Sequence, residues 1–311
     1  MAVLRDVETV VAAKKETGGY GVAETLAGTD AFLVTEVELE PVAATALDRN
    51  TIDGKFGSRP FIQTSTHASV KITIEATPSG TAGTSPDYKD LFLGCGLIET
   101  STASQNVFAP ETNLETADSL TIGVYIDGSL HKLTGARGSF SYEMAASDTP
   151  KFIFEYLGLY NAPTATAILS PTYIQLAPKV ANSTNTTAFQ LHSFAGSLSS
   201  FSFEQNNNLY YSELVSSSKA VRITNRASSG SISIESVALG TKNFYEIVNS
   251  TATGNLTHQH GQTAGNKITF TAGKTQLETI GQGENEGYQM LDFAYRALPN
   301  SGNDEFELKF H

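Results

Sequence analysis

What most constrains this chain is an alternation of apolar and polar side chains, residue by residue, that recurs from one end to the other. In Thr35–Glu40 the acids Glu36, Glu38 and Glu40 alternate with Val37 and Leu39, and in Ser69–Glu75 Val70, Ile72 and Ile74 alternate with Lys71, Thr73 and Glu75. Ser139–Met144, Ser197–Glu204 and Ser231–Glu235 follow the same rule, with Phe140, Tyr142 and Met144, then Phe201 and Phe203, then Ile232 and Ile234 as the apolar members. Successive side chains of a strand point to opposite faces, so each stretch predicts a strand with one face in a core and one in water. Leu120–Ile126 alternates likewise and runs into Asp127-Gly128, a strong hairpin signal. Lys151–Tyr160 is apolar on both faces and predicts a strand covered on both sides.

Helical periodicity is confined to short pieces. Ser85-Pro86-Asp87 offers an N-cap, a first-turn proline and an early acid; Tyr88, Leu91, Phe92 and Cys95 follow at helical spacing, and Gly94 and Gly96 end the pattern. A second short pattern is Phe244, Ile247 and Val248. The fold class expected is therefore all-β, as two tandem sandwich or half-barrel domains with one short helix each.

The division into two rests on length and on an internal repeat. At 311 residues the chain has room for two ordinary domains. Ser231-Ile-Ser-Ile-Glu235 echoes Lys71-Ile-Thr-Ile-Glu75, and a helical pattern follows each. Lys267–Thr271 before Gly273 is matched to Leu120–Ile126 before Gly128, and Tyr288–Leu298 to Lys151–Tyr160. The shared order points to duplication. Residues 1–30 are expected to be an extended arm with little core, its only local signal a possible helical turn at Val7–Lys15, broken at Glu16-Thr-Gly-Gly-Tyr-Gly. The first domain is placed at 31–165, a linker at 166–180 near the prolines at 163, 171 and 178, and the second domain at 181–311. Residues 48–66 and 206–226 are long polar segments between strands of each repeat.

Charge and chemistry exclude more than they assign. The net charge of −12 leaves no basic stripe for nucleic acid. The single cysteine, Cys95, permits no intrachain disulfide, points to a reducing compartment, and fits the apolar stripe of the helix as a buried thiol. Met1-Ala-Val-Leu-Arg-Asp lacks the apolar region of a signal peptide, and no run is long enough for a membrane helix. His258-Gln-His260 could be half a metal site but lacks a third ligand nearby, and its Thr/Gly/Gln-rich surroundings predict a solvated loop. His131 is expected to pack or hydrogen-bond, and His67 and His192 have no visible partner. Neighbouring acids such as Glu284 and Glu286 do not by themselves make the convergent pair a glycosidase needs. Gly80–Gly83 lacks the Lys-Ser/Thr of a phosphate loop, and there is no Gly-x-Ser-x-Gly elbow. No catalytic, cofactor-binding or metal-binding residue is expected.

Several stretches resemble one family. Lys15-Glu16-Thr17 with Tyr20-Gly21, Ala31-Phe-Leu-Val followed by Glu40-Pro41 and Asp48-Arg49, and Gly80-Thr-Ala-Gly-Thr-Ser-Pro86 with Leu91 and Gly94-Cys-Gly-Leu97 are similar to the arm, first strand and helix region of the major tail tube proteins of long-tailed bacteriophages. Asp127-Gly128 with His131-Lys-Leu-Thr-Gly-Ala-Arg-Gly138 is the most specific stretch; Gly158-Leu-Tyr160 with Pro163, and Asn303-Asp304-Glu305, also fit. The resemblance covers residues 1–165 well and is weaker in the second half, where the order of elements carries it.

This resemblance implies a structural subunit and not an enzyme. Subunits of that family form rings that stack into a hollow tube, each domain giving strands to a continuous inner barrel, and loops at the positions of 48–66 and 206–226 reach the adjacent ring. Two domains per chain imply trimeric rings with pseudo-sixfold symmetry. The implied partners are copies of itself and the tail terminator, tape measure and baseplate proteins. Double-stranded DNA would pass through without specific binding, in a virion tail assembled in the bacterial host cytoplasm. Glu36, Glu38, Glu75, Glu143, Glu204 and Glu235 are then the candidates for an acidic lumen wall, because each alternates with core residues; the alternative is that they face ordinary solvent. Other readings are a related ring protein, such as a terminator or baseplate component, and a β-rich receptor- or carbohydrate-binding module, which the absence of Trp disfavours.

Overall fold

The computed structural model describes residues 8–49, 51, 52, 54, 56–174 and 176–311. The first half holds β1 (Thr9–Lys15), a 3-10 turn (Gly28–Asp30), β2 (Ala31–Phe32), β3 (Glu36–Asp48), β4 (Phe61–Glu75), α1 (Lys89–Gly94), β5 (Leu97–Ser101), β6 (Asn106–Pro110), β7 (Leu120–Ile126), β8 (Ser129–Ala145), β9 (Lys151–Tyr160) and β10 (Thr164–Ala165). The second holds β11 (Thr186–Leu191), β12 (Leu198–Glu204), β13 (Asn207–Ser212), β14 (Ala220–Arg226), β15 (Ser229–Glu235), α2 (Phe244–Asn249), β16 (Thr253–His260), β17 (Ile268–Asn285), β18 (Tyr288–Ala297) and β19 (Glu307–Phe310). The fold is all-β with two short helices, and the described sheets are open.

Antiparallel pairing builds one quartet in each half: β3-β4-β9-β8 in the first and β12-β15-β18-β17 in the second. The registers correspond. Lys71 to Glu75 lie opposite Glu155 to Lys151, and Ser231 to Glu235 lie opposite Ala294 to Met290. Each helix follows the equivalent strand, α1 after β4 and α2 after β15. The quartets meet where β8 pairs with β12, Glu143 opposite Ser202 and Ser141 opposite Glu204, giving eight consecutive strands across both halves.

One side of these strands carries the core, which runs without a break through both halves. Phe92 of α1 sits among Phe108, Phe140, Phe152, Phe154 and Phe310, with ring centroids 5.0–6.0 Å away. Phe203 continues the cluster to Phe270 and Phe306, each at 4.6 Å. The carboxyl-terminal β19 pairs with β17 on one side and β6 on the other, so the chain end ties the halves together.

Several expectations are corrected. The amino-terminal segment is no loose arm: β1 pairs along its whole length with β7 and buries Val11 and Ala12. Together with Leu26 and Ala31 it forms a second small core over Tyr125 and Leu130, so β7 is buried on both faces. Alternation marks which positions can be buried by one core; it does not say whether another segment covers the other face. Conversely, β9 is covered on one face only, leaving Ile153, Leu157 and Leu159 half-buried on the other. Ser85 does not cap α1, which starts later, after Tyr88. Of Lys267–Thr271, the part from Ile268 opens β17, the counterpart of β8 and not of β7. Residues 206–226 are no loop but hold the β13–β14 hairpin, and most of 48–66 that lies after Arg59 belongs to β4. The Asp127-Gly128 hairpin forms as expected, with φ of 39° and 82°.

Candidate functional site

The side of the eight strands away from the core is polar, and all six candidate glutamates lie on it. The register sets them in rows. One row runs Glu75, Lys151, Glu143, Ser202, Ser231 and Ala294; the next runs Glu36, Thr73, Ile153, Ser141, Glu204, Ser229 and Arg296. Glu235 lies at the end of β15 opposite Met290. Glu36, Glu38, Glu143, Glu204 and Glu235 are exposed, and Glu75 is half-buried. Glu40, Glu155 and Asp292 extend the acidic set, while Lys71, Lys151 and Arg296 are the cations interspersed in these rows. Serine hydroxyls line the meeting of the quartets, with Ser202 Oγ and Ser231 Oγ 2.7 Å apart. Carboxylates thus outnumber cations across a surface about eight strands wide, and Glu38, Glu40 and Glu155 line an open hollow on it together with Lys71.

Both edges of this surface are open among the described residues. β3 pairs only with β4, and Leu277 to Asn285 of β17 pair only with β18. Unpaired edges present rows of N–H and C=O groups that template pairing with another chain. Beyond the quartet, β3 and β4 continue as a hairpin carrying exposed Val42, Leu47, Phe61 and Ile62.

The second-half hairpin β13–β14 lies back on the first half, while its turn exposes Leu214 and Val215. The buried Arg137 donates to Val221 O (3.2 Å) and Ala117 O (2.5 Å), and its guanidinium sits 5.1 Å over the Tyr20 ring. Tyr20 Oη accepts from Val221 N. Asn207 Nδ2 donates to Gly138 O and Cys95 O, and Tyr211 Oη to Thr66 O, with Tyr211 stacked on His67. The motif around Arg137 therefore serves to hold the second half's hairpin. Glu16, which the sequence marks by its resemblance but without a role, is a buried acid accepting from Ser119 Oγ, Thr121 Oγ1, Gly135 N and Gly21 N at 2.6–3.0 Å. It anchors the amino-terminal segment to β7 and β8.

The histidines are not where a solvated loop would put them. His258 and His260 sit on β16, both buried, His258 with Tyr142 Oη 3.3 Å from its Nε2 and His260 with Thr186 Oγ1 3.0 Å from its Nδ1. They lie in the joint between the halves because β16 packs behind β12 and β8 there. Burial, and secondarily the charge of His260, lower the His258 pKa to about 3, so it is neutral. His192, also buried, has its Nε2 3.5 Å from Thr275 Oγ1, and His131 lies on β8 opposite Val124. Cys95 is buried against Tyr156 Oη, and desolvation pushes its thiol up to about 12. No group of three His, Cys, Asp or Glu is placed to hold a metal among the described residues, and no described helix is long and apolar enough to cross a membrane.

No curated relative matches the chain. A family model described as phage tail tube protein matches residues 7–297.

Proposed function

The chain belongs to the phage tail tube protein family, a structural component of the virion tail, and from that premise we propose that three copies join edge to edge into a ring whose acidic sheet face lines the lumen, rings of this kind stacking into the tube. The observation that carries this reading is the eight-stranded sheet, acidic on one face, apolar on the other and open at both ends. A sheet with two unpaired edges is stabilised by closure, and closing it through copies of the same chain removes both edges. Eight strands from each of three copies, twenty-four in all, make a barrel roughly 45–50 Å across at the backbone, from ~4.8 Å strand spacing and ~40° tilt. That is wider than porin barrels of sixteen to eighteen strands, which already leave an aqueous channel.

In this arrangement Glu36, Glu38, Glu75, Glu143, Glu204 and Glu235 face the passing DNA. Phosphate contacts dominate protein affinity for nucleic acid, so a wall of carboxylates lets a duplex move without adhering. We assign residues 31–165 and 181–311 to two tube domains, 166–180 to their linker and 1–30 to an amino-terminal segment that β1 fixes on the first domain. Terminator, tape measure and baseplate proteins are the partners such a tube needs at its ends and within its lumen, with assembly in the host cytoplasm. The protein has no catalytic role in this reading. Negative-stain electron microscopy of the purified chain across a concentration series tests it: hollow tubes or stacked threefold rings are expected, and a lasting monomer at high concentration overturns it.

A further inference from the structure

The join between the quartets inside one chain is a template for the join between chains. Matching the registers residue by residue, Glu36, Val37, Glu38, Leu39 and Glu40 of β3 occupy the places of Ser200, Phe201, Ser202, Phe203 and Glu204 of β12. By the same rule Gly281, Gln282, Gly283, Glu284 and Asn285 of β17 take the places of Ser141, Tyr142, Glu143, Met144 and Ala145 of β8. Within the chain, β12 and β8 are paired; their counterparts β3 and β17 are the two open edges.

We infer that β3 of one copy pairs antiparallel with β17 of the next in the register of the internal joint: Glu36 opposite Asn285, Val37 opposite Glu284, Glu38 opposite Gly283, Leu39 opposite Gln282 and Glu40 opposite Gly281. The inference rests on the ring reading and adds to it the strands, their direction and their register. The contact is head-to-tail, unlike edge joined to unlike, as β8 to β12 already is, so it propagates around a ring and does not stop at a twofold dimer.

Two further observations agree with this register. Val37 and Leu39 are half-exposed in the single chain, while their counterparts Phe201 and Phe203 are 2% and 0% exposed. Pairing on the open side of β3 covers the remaining apolar surface. On the acidic face, no position of either joint sets two acids opposite each other. Glu143 faces Ser202 and Glu204 faces Ser141 inside the chain. Between chains Glu38 would face Gly283, the acid having changed sides, and Glu40 would face Gly281 as Glu204 faces Ser141; directly opposed carboxylates, which would destabilise the pair, are avoided in both joints.

Paired cysteines test the register. Directly opposite Cβ atoms lie ~4.5–5.5 Å apart and diagonal ones roughly 7–8 Å, and only the former suit a disulfide. A Cβ at Gly281 meets its nearest atom at 3.6 Å, so Gly281→Cys fits without disturbing β17, and the native Cys95 is buried. The full chain carrying Glu40→Cys and Gly281→Cys is assembled, oxidised and run on a non-reducing gel. A ladder of linked chains ending at the ring number is expected, with little linkage for Glu40→Cys with Gly283→Cys. Leu39→Cys with Gln282→Cys reads the same register from the opposite face, should the first pair impair assembly. Rings or tubes in micrographs that link only through the shifted pair, or not at all, overturn the register and leave the ring reading standing. A chain that gives neither rings nor links overturns both.

Discussion

The ring of Tyr142, on β8, lies against that of His258, on β16, with centroids 6.0 Å apart and planes 12° from parallel. These residues are 116 positions apart, one in each half, and both are fully buried. The joint between the quartets is thus locked behind by an aromatic and a neutral imidazole, with Phe201 at 5.4 Å completing the cluster.

That imidazole makes the joint acid-sensitive. His258 titrates near 6.5 when unfolded and at about 3 when folded, so the unfolded chain binds its proton first as the pH falls. Its contribution is complete above pH 6.5 and shrinks as the pH drops towards 3. At pH 5 the loss is about 2 kcal/mol by proton linkage. Thermal melts at pH 7 and pH 5 should show a smaller drop in Tm for His258→Phe than for the native chain; an equal drop would place the acid sensitivity elsewhere.

Replacing Arg137 by Ala should free the β13–β14 hairpin. The change strips buried donors from the Val221 and Ala117 carbonyls and removes the cation from the Tyr20 ring. A cost of about 2–3 kcal/mol is expected for carbonyls left unpaired in a buried place. Amide exchange should accelerate across residues 207–226 while the strands of the first quartet stay protected. Unchanged exchange in the hairpin would show that Asn207 and Tyr211 suffice to hold it.

Reversing charge on the acidic face should change what the tube does to DNA without changing its shape. Tubes carrying Glu38→Lys, Glu143→Lys and Glu204→Lys should retain short duplexes in co-sedimentation at low salt and release them as salt rises, since counterion release governs such binding. Native tubes should retain none. Equal behaviour of both would show that duplex DNA does not reach this face in the assembled tube.

The thiol of Cys95 should be silent in the folded chain. Burial holds it at about 12, and the thiolate is the reactive form. Ellman's reagent should report no accessible thiol under native conditions and one per chain in denaturant. Rapid native labelling would mean that α1 opens readily.

How much of this was legible in the sequence differs strand by strand. Ser69–Glu75 and Ser197–Glu204 announced both their strands and their buried faces, because a single core covers one side of each. The glutamates of the acidic face were found by the same alternation, whereas what lies across from them, Lys151 beside Glu75 or Ser202 beside Glu143, is a matter of register that only long-range pairing fixes. Thr9–Lys15 has no alternation, since β1 is covered on both sides at its centre, and so it passed for an arm. His258 sat in polar company along the chain; its apolar company comes from β8 and β12. The stretch containing Arg137 stood out as distinctive, but its purpose depends on Val221, which lies 84 residues later.

The covalent union of β8 and β12 in one polypeptide also bears on how quickly a ring could appear. Strand pairing between separate molecules spends translational and rotational freedom at each encounter, whereas a tethered pair meets at a high effective concentration fixed by its linker. Half of the joints in the proposed ring are completed while the chain folds and before any collision. Closure then depends on two diffusional encounters where six separate domains would need five, the last joint closing within the assembled arc in either case. Nucleation should therefore follow a lower power of protein concentration, and partly built rings should be rarer, than for a tube made of single-domain subunits.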